Sequence, residues 1–229
     1  MSAPLALFDL DGTLVDSRRL IHASMDDAFR LNGLGGCAYD HVRTIVGIEL
    51  SAAIRLLLPD DAEDALVDGV FNTFRETFVR LREEDASLES LYPGARHILE
   101  TLATDGWVLG VATGKPRRGL DHILTTHDLG GVFATLNTSC TGPGKPDPRM
   151  VNDALRETGL ASDACVMIGD TSHDIAMAVN AKVRGAGVTW GFHTREEIEA
   201  AGAHDIHDDF ACLQRGLDRF ARGRKEVAA

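Results

Sequence analysis

The chain has 229 residues, 44% of them hydrophobic and 25% charged, which is enough for a large buried core. A formal net charge of −12 argues against a surface built to grip a nucleic-acid backbone, so no nucleic acid is expected as a partner. Apolar runs such as IRLLLP and WVLGVAT are far too short to cross a bilayer, and no leader pattern opens the chain. No membrane partner and a cytoplasmic location are therefore expected.

The first predicted element is a strand over residues 5–8 (LALF), ending at Asp9. Residues 16–90 then read as helix, over 17–31, 40–58 and 61–82. Phe71, Phe74 and Phe78 recur at i, i+3 and i+7 as one apolar face, expected to be core. Tyr92-Pro93-Gly94 marks a turn. Beyond it, short apolar runs alternate with amphipathic helices over 95–102, 120–126, 150–158 and 174–181. The strands are 107–112, ending at Thr113 and Gly114; 165–168, ending at Gly169 and Asp170; and 183–190, diluted by Gly185 and Gly187. This alternation predicts an α/β fold, a Rossmann-like three-layer core with a parallel β-sheet. The core would comprise residues 1–15 and 91–229, with 16–90 inserted as an α-helical cap. Ligands of such sheets bind at the carboxyl ends of the strands, where the polar residues just named fall. Cys37, Cys140, Cys165 and Cys212 show neither CxxC nor zinc spacing, so disulfides and a structural zinc are not expected.

On an extended segment Asp9 and Asp11, at i and i+2, point the same way, and such a pair calls for a cation between them. Gly12 permits a sharp turn, and Thr13 offers a hydroxyl and an amide to an anion. Asp170 closes another strand, and Asp174 lies near the first turn of the following helix. Taken singly, Asp174 is also what a helix start favours. Together these residues place four carboxylates at one sheet edge, and Mg²⁺ is the natural counter-charge. Thr113 and Gly114 supply a hydroxyl and backbone amides for an anion. Lys145, on a loop stiffened by Pro146 and Pro148, can add a cation; Lys115 is a rival for that task, although a lysine past the strand end in TGKP could point to solvent. GVATGK lacks P-loop spacing, no GxGxxG follows a predicted strand, and no GxSxG occurs.

With those residues in view, the chain resembles the haloacid dehalogenase superfamily. FDLDGTL (8–14), VATGK (111–115), GKPDP (144–148) and MIGDTSHD (167–174) are similar to its four motifs, in order and across nearly the whole chain. The insertion after the first motif, with LVDS (14–17) and YPGA (92–95), resembles the phosphoglycolate phosphatase-like branch. The resemblance implies that Asp9 is the nucleophile and Asp11 the general acid and base, with Thr113, Gly114 and Lys145 holding phosphoryl oxygens. Mg²⁺ would be ligated by Asp9, the backbone carbonyl of Asp11, Asp170 and, directly or through water, Asp174. RTIVGIEL (43–50) resembles the Arg-x-x-x-Gly segment of the branch's cap, which makes Arg43 and Gly47 candidate substrate contacts. Where relatives commonly carry Ala-Gly after the fourth-motif helix, this chain has Ala181-Lys182, a change expected to alter a turn and not the chemistry. Implied overall is a Mg²⁺-dependent phosphatase acting on a small phosphorylated metabolite, phosphoglycolate as a first guess. A phosphomutase of the β-phosphoglucomutase type, a pyrophosphatase and a phospho-accepting signalling module are the alternatives. The pattern assigns no oligomeric state.

Overall fold

The computed structural model describes residues 3–227. β1 (Leu5–Phe8) leads through a tight turn into a two-residue strand, β2 (Val15–Asp16). Four helices follow: α1 (Arg18–Leu31), α2 (Tyr39–Ile45), α3 (Leu50–Leu57) and α4 (Asp64–Glu84). A 3₁₀ turn at Ala86–Glu89 and β3 (Ser90–Leu91) bring the chain back. The remainder alternates, beginning with α5 (Ala95–Thr104), β4 (Val108–Thr113), α6 (Arg117–Thr126), β5 (Thr135–Thr138) and α7 (Arg149–Thr158). It ends with β6 (Cys165–Gly169), α8 (Ser172–Asn180), β7 (Arg184–Val188), α9 (Arg195–Ala200), β8 (Asp205–His207) and α10 (Phe210–Val227).

The main sheet has the order β5-β4-β1-β6-β7-β8, with every neighbouring pair parallel. The chain winds outward from β1 to β5, then crosses back to β6 and winds the other way. That reversal opens a crevice beyond the carboxyl ends of β1 and β6, where doubly wound sheets bind ligands. Asp9 and Asp170 are the residues that follow those two strands. The strands are fixed there by burial on both faces: Ala6, Phe8, Val166 and Ile168 enter one core, while Leu5, Leu7, Cys165 and Met167 enter the other. Helices α1 to α4 pack around an apolar cluster of their own, containing Met25, Phe29, Ile54, Val70 and Phe74, into which Phe192 also reaches from the loop after β7. Of the expected phenylalanine face, Phe74 is buried, while Phe71 and Phe78 pack at its margin. Among the described residues no helix is long and apolar enough to cross a membrane.

Several local expectations are revised. The helix expected over 40–58 is two helices, because Gly47 takes φ of 96° and breaks the run between Ile45 and Leu50. Strands β5 (TLNT) and β8 (DIH) were not expected; both lie at sheet edges, and buried polar side chains of β5 are paired, Asn137 Nδ2–H donating to Thr135 Oγ1 and the Thr135 hydroxyl to Glu157. The short β2–β3 ladder, Val15 against Leu91 and Asp16 against Ser90, was also not expected, and it ties together the two strands of chain that join the helices to the sheet. The glycines that dilute β7 serve packing: a Cβ on Gly187 would fall 2.3 Å from Ile198 Cγ2 on α9.

The Ala181-Lys182 departure has a defined cost. Lys182 sits at φ of 57°, just past the end of α8. Its N–H donates to Val179 O, and the next N–H, from Val183, donates to Ala178 O. This is a Schellman ending with lysine in the position that favours glycine. Lys182→Gly is expected to stabilise the fold by about 0.5–1 kcal/mol, the relief of left-handed strain less the added freedom of the unfolded chain. Urea unfolding followed by circular dichroism checks this, and a lower midpoint for the variant would contradict it.

Candidate active site

The first catalytic candidate is placed by the end of β1. The Asp9 N–H still donates to Ile168 O at 2.9 Å, so its backbone belongs to the sheet and its carboxylate is buried beneath the crevice. The chain then leaves the extended conformation at once. Leu10 O accepts from the N–H groups of Thr13, Leu14 and Val15, and Gly12 takes φ of 87°. A Cβ on Gly12 would lie 2.2 Å from Asp170 Oδ2, so the turn tolerates no side chain there. Because of this turn the i, i+2 expectation fails for Asp11. Its carboxylate faces Lys115, with Nζ to Oδ1 at 3.2 Å, and is not the fourth member of the acidic cluster.

That cluster consists of Asp9, Asp170 and Asp174, whose carboxylate oxygens lie within 4.8 Å of one another. Lys145 is its counter-ion. Lys145 Nζ is 2.7 Å from Asp9 Oδ1 and 2.6 Å from Asp174 Oδ1, with its side chain wholly excluded from solvent. Asp170 is anchored by Thr13 Oγ1–H at 2.7 Å and by the Phe192 N–H at 2.9 Å. Thr13 therefore spends its hydroxyl on a carboxylate instead of an incoming anion. Asp174 divides its oxygens between two tasks. Oδ2 accepts from the Thr171 N–H and hydroxyl in a capping box at the start of α8, while Oδ1 faces Lys145. The helix-start reading and the site reading of Asp174 hold together.

Three buried carboxylates against one ammonium leave an excess of negative charge in a dry site. Burial, with repulsion from Asp174 and Asp11, lifts the Asp9 carboxyl to about 7 despite the pull of Lys145. Burial and the charges of Asp174 and Asp9 likewise hold Asp170 well above the usual carboxylate range, against the hydrogen bonds from Phe192 and Thr13. Burial works against the Lys145 ammonium, but Asp174 and Asp9 outweigh it and the group stays protonated. Asp9 Oδ1 and Asp174 Oδ1 are buried with no hydrogen bond of good geometry. Oxygen-only donors gathered within reach of one another and carrying surplus negative charge fit a hard divalent cation.

Thr113 ends β4 beside this cluster; its Oγ1 accepts from the Lys115 N–H at 3.1 Å. Lys115 does not reach solvent. It is buried between Asp11 and Glu89, its Nζ 2.9 Å from Glu89 Oε1. Lys145 alone of the two rivals touches Asp9. The helical unit closes tightly over Gly114: a Cβ there would fall 2.7 Å from Gly47 O. Gly47 in turn faces Thr171, 3.3 Å from where its own Cβ would sit. Arg43 is engaged by the sheet-bearing part of the chain, its Nη1 donating to both oxygens of Glu197 at 3.1 and 2.7 Å. The carbonyls that end α2 are capped from the same side. His193 Nε2–H donates to Arg43 O at 3.1 Å while its Nδ1 accepts from the Ser172 N–H, and His173 Nε2–H donates to Thr44 O. Burial keeps His193 in this neutral form by lowering its affinity for a second proton. Glu89 carries no sequence signal, whereas His173 lies within MIGDTSHD and Phe192, His193 and Glu197 within the segment 187–210, where the pattern gives none of them a role. Each acts through a partner distant in the chain.

The sequence matches the family described as haloacid dehalogenase-like hydrolase over residues 6–188. This chain belongs to that family. It is 31% identical to "Probable phosphatase IndB" of Dickeya dadantii, over 91% of this chain and 90% of that one. It is 30% identical to a phosphoglycolate phosphatase of Vibrio cholerae, over 93% and 96% of the two chains. Among solved structures, a hydrolase from Pseudomonas syringae superposes with a TM-score of 0.83 at 26% identity, covering 95% of this chain and 99% of that one. This haloacid dehalogenase-like hydrolase thus shares both sequence and fold with proteins named as phosphatases or hydrolases.

The surplus charge makes a measurable demand. In EDTA near neutral pH, Asp170→Asn is expected to raise the thermal midpoint by about 2–5 °C, because the amide removes the cost of burying this carboxylate or of protonating it, and Thr13 can turn to accept from it. Added Mg²⁺ is expected to raise the wild-type midpoint, and to raise it by less in the same variant. A lower midpoint in EDTA together with an undiminished Mg²⁺ shift would contradict the charge assignment.

Proposed function

We propose that this hydrolase is a Mg²⁺-dependent phosphatase that removes the phosphoryl group of a small metabolite, phosphoglycolate being the first candidate. The observation that carries the reading is the buried Asp9 carboxylate at the β1 terminus, held at 2.7 Å by Lys145 and flanked by Asp170 and Asp174. The relatives named as phosphatases support it, among them the phosphoglycolate phosphatase of Vibrio cholerae.

In this reading an Asp9 oxygen attacks phosphorus and the bond to the ester oxygen breaks, giving an aspartyl-phosphate. Asp11 delivers its proton to the departing alkoxide, then takes one from the water that attacks the phosphorus. The second attack releases inorganic phosphate and returns Asp9. Lys145, the Thr113 hydroxyl and the Gly114 amide hold phosphoryl oxygens as their charge builds. Asp9, Asp170, the Asp11 carbonyl and Asp174 would hold Mg²⁺, which when bound neutralises phosphoryl charge and orients the group.

Residues 16–90 act as a lid on a core formed by 1–15 and 91–229. The Gly47 backbone lies against Gly114, the cluster beneath is sealed from solvent, and Arg43 fastens the lid to Glu197. Substrate therefore enters when these contacts part, and their return excludes water from the acyl-phosphate. The paired linkers at β2 and β3 are the natural hinge.

Phosphate release from phosphoglycolate, with Mg²⁺ and after chelation, tests the activity. Asp9→Asn is expected to lose about 10³-fold or more in kcat while its unfolding transition stays cooperative. Turnover near the wild-type rate would contradict the covalent route.

A further inference from the structure

Lys115 and Glu89 form a second buried charge cluster, apart from the phosphoryl-holding residues. Lys115 Nζ lies 3.2 Å from Asp11 Oδ1 and 2.9 Å from Glu89 Oε1, and both side chains are almost fully buried. Glu89 belongs to the linker that returns from the helices to the sheet, and its carbonyl accepts from His127 Nε2–H at 2.7 Å. Two residues of α4 complete the surroundings: Arg82 Nε stands 3.8 Å from Glu89 Oε2, and the Phe78 ring centroid lies 4.8 Å from Lys115 Nζ. One ammonium thus touches a site carboxylate, the linker and the lid.

We propose that Lys115 and Glu89 are positioning residues for Asp11, orienting it for proton transfer when the lid is seated. This rests on the reading of Asp11 as the proton donor. Several observations lead to it. The turn after β1 aims Asp11 away from the acidic cluster, so that cluster does not fix its carboxylate. Lys115 is the cation paired with it, through Oδ1 at 3.2 Å. Lys115 on a four-carbon stem would be a loose guide by itself. Glu89 gives the ammonium a second counter-charge and anchors it in the linker independently of Asp11. Phe78 and Glu89 both meet Lys115 from the lid side of the β2–β3 hinge, so displacing the lid strips the lysine of its aromatic cover and of its second carboxylate. Burying charge this deeply is costly unless every member is matched, and here two cations face two carboxylates.

The leaving group separates positioning from mere structure. A p-nitrophenolate departs with little need of a proton, whereas the alkoxide of an alkyl phosphate needs one. Rates of phosphate release are compared for phosphoglycolate and p-nitrophenyl phosphate on the same preparations of wild type, Glu89→Gln and Lys115→Gln. The ratio of the two kcat/KM values, which report the leaving-group step and not the shared hydrolysis of the aspartyl-phosphate, is independent of the folded fraction. It is expected to fall about tenfold or more against phosphoglycolate in both variants. Proportional losses on the two esters, or no loss on either, would overturn the positioning role. If the wild-type protein releases phosphate from neither ester, the phosphatase reading fails and this proposal falls with it. An unchanged ratio in an active enzyme overturns the proposal alone.

Discussion

Three buried carboxylates share one lysine at the point where the sheet reverses its winding, and most of the surrounding structure answers that imbalance. Asp9 and Asp170 are carried there by adjacent strands whose side chains are committed to two apolar cores, so neither can withdraw towards water. Lys145 is drawn between Asp9 and Asp174, Thr13 and Phe192 hold Asp170, and Thr171 holds one oxygen of Asp174. These contacts stabilise the carboxylates only in part. What is left over is affinity for positive charge and for the anion that positive charge attracts. A fold selected for stability alone would have little reason to keep it.

The second charge cluster differs in kind. Around Asp11 the signs are balanced, with Lys115 and Arg82 against Asp11 and Glu89, so nothing in it calls for a metal. The two aspartates of one short motif thus take different counter-ions, Lys145 for Asp9 and Lys115 for Asp11, and the turn at Gly12 is what parts them. Charge surplus suits a group that must attack a phosphoryl centre under a cation. Charge balance suits a group that must be held still and exchange a proton.

Much of this was legible in the sequence, because strand ends leave a mark. An apolar run that stops at Asp9, at Thr113 and Gly114, or at Gly169 and Asp170 names both an element and the residues at its terminus. The edge strands β5 and β8 left no such mark, since TLNT and DIH are mostly polar and pair with residues elsewhere in the chain, Thr135 with Glu157 and Asp205 with Arg184. Gly47 looked like one glycine inside a helix, and only its positive φ and its approach to Gly114 show why the helix breaks there. The fate of Asp11 and Lys115 was illegible for a different reason. Glu89, the second partner of Lys115, lies 26 residues before it on the return linker, and no period or motif connects the two. Arg43 likewise meets Glu197 only because the helical unit closes onto α9, 154 residues along the chain.

The central claim is that Asp9 becomes covalently phosphorylated during turnover, and it can be tested at that atom. Wild-type protein mixed with phosphoglycolate and Mg²⁺, quenched in acid within a turnover and digested, is read by mass spectrometry. We expect the mass of one phosphoryl group on the peptide containing Asp9, lost on mild alkaline treatment as an acyl phosphate would be. A phosphoryl group found on another residue, or none on any peptide while phosphate is being released, would contradict the claim.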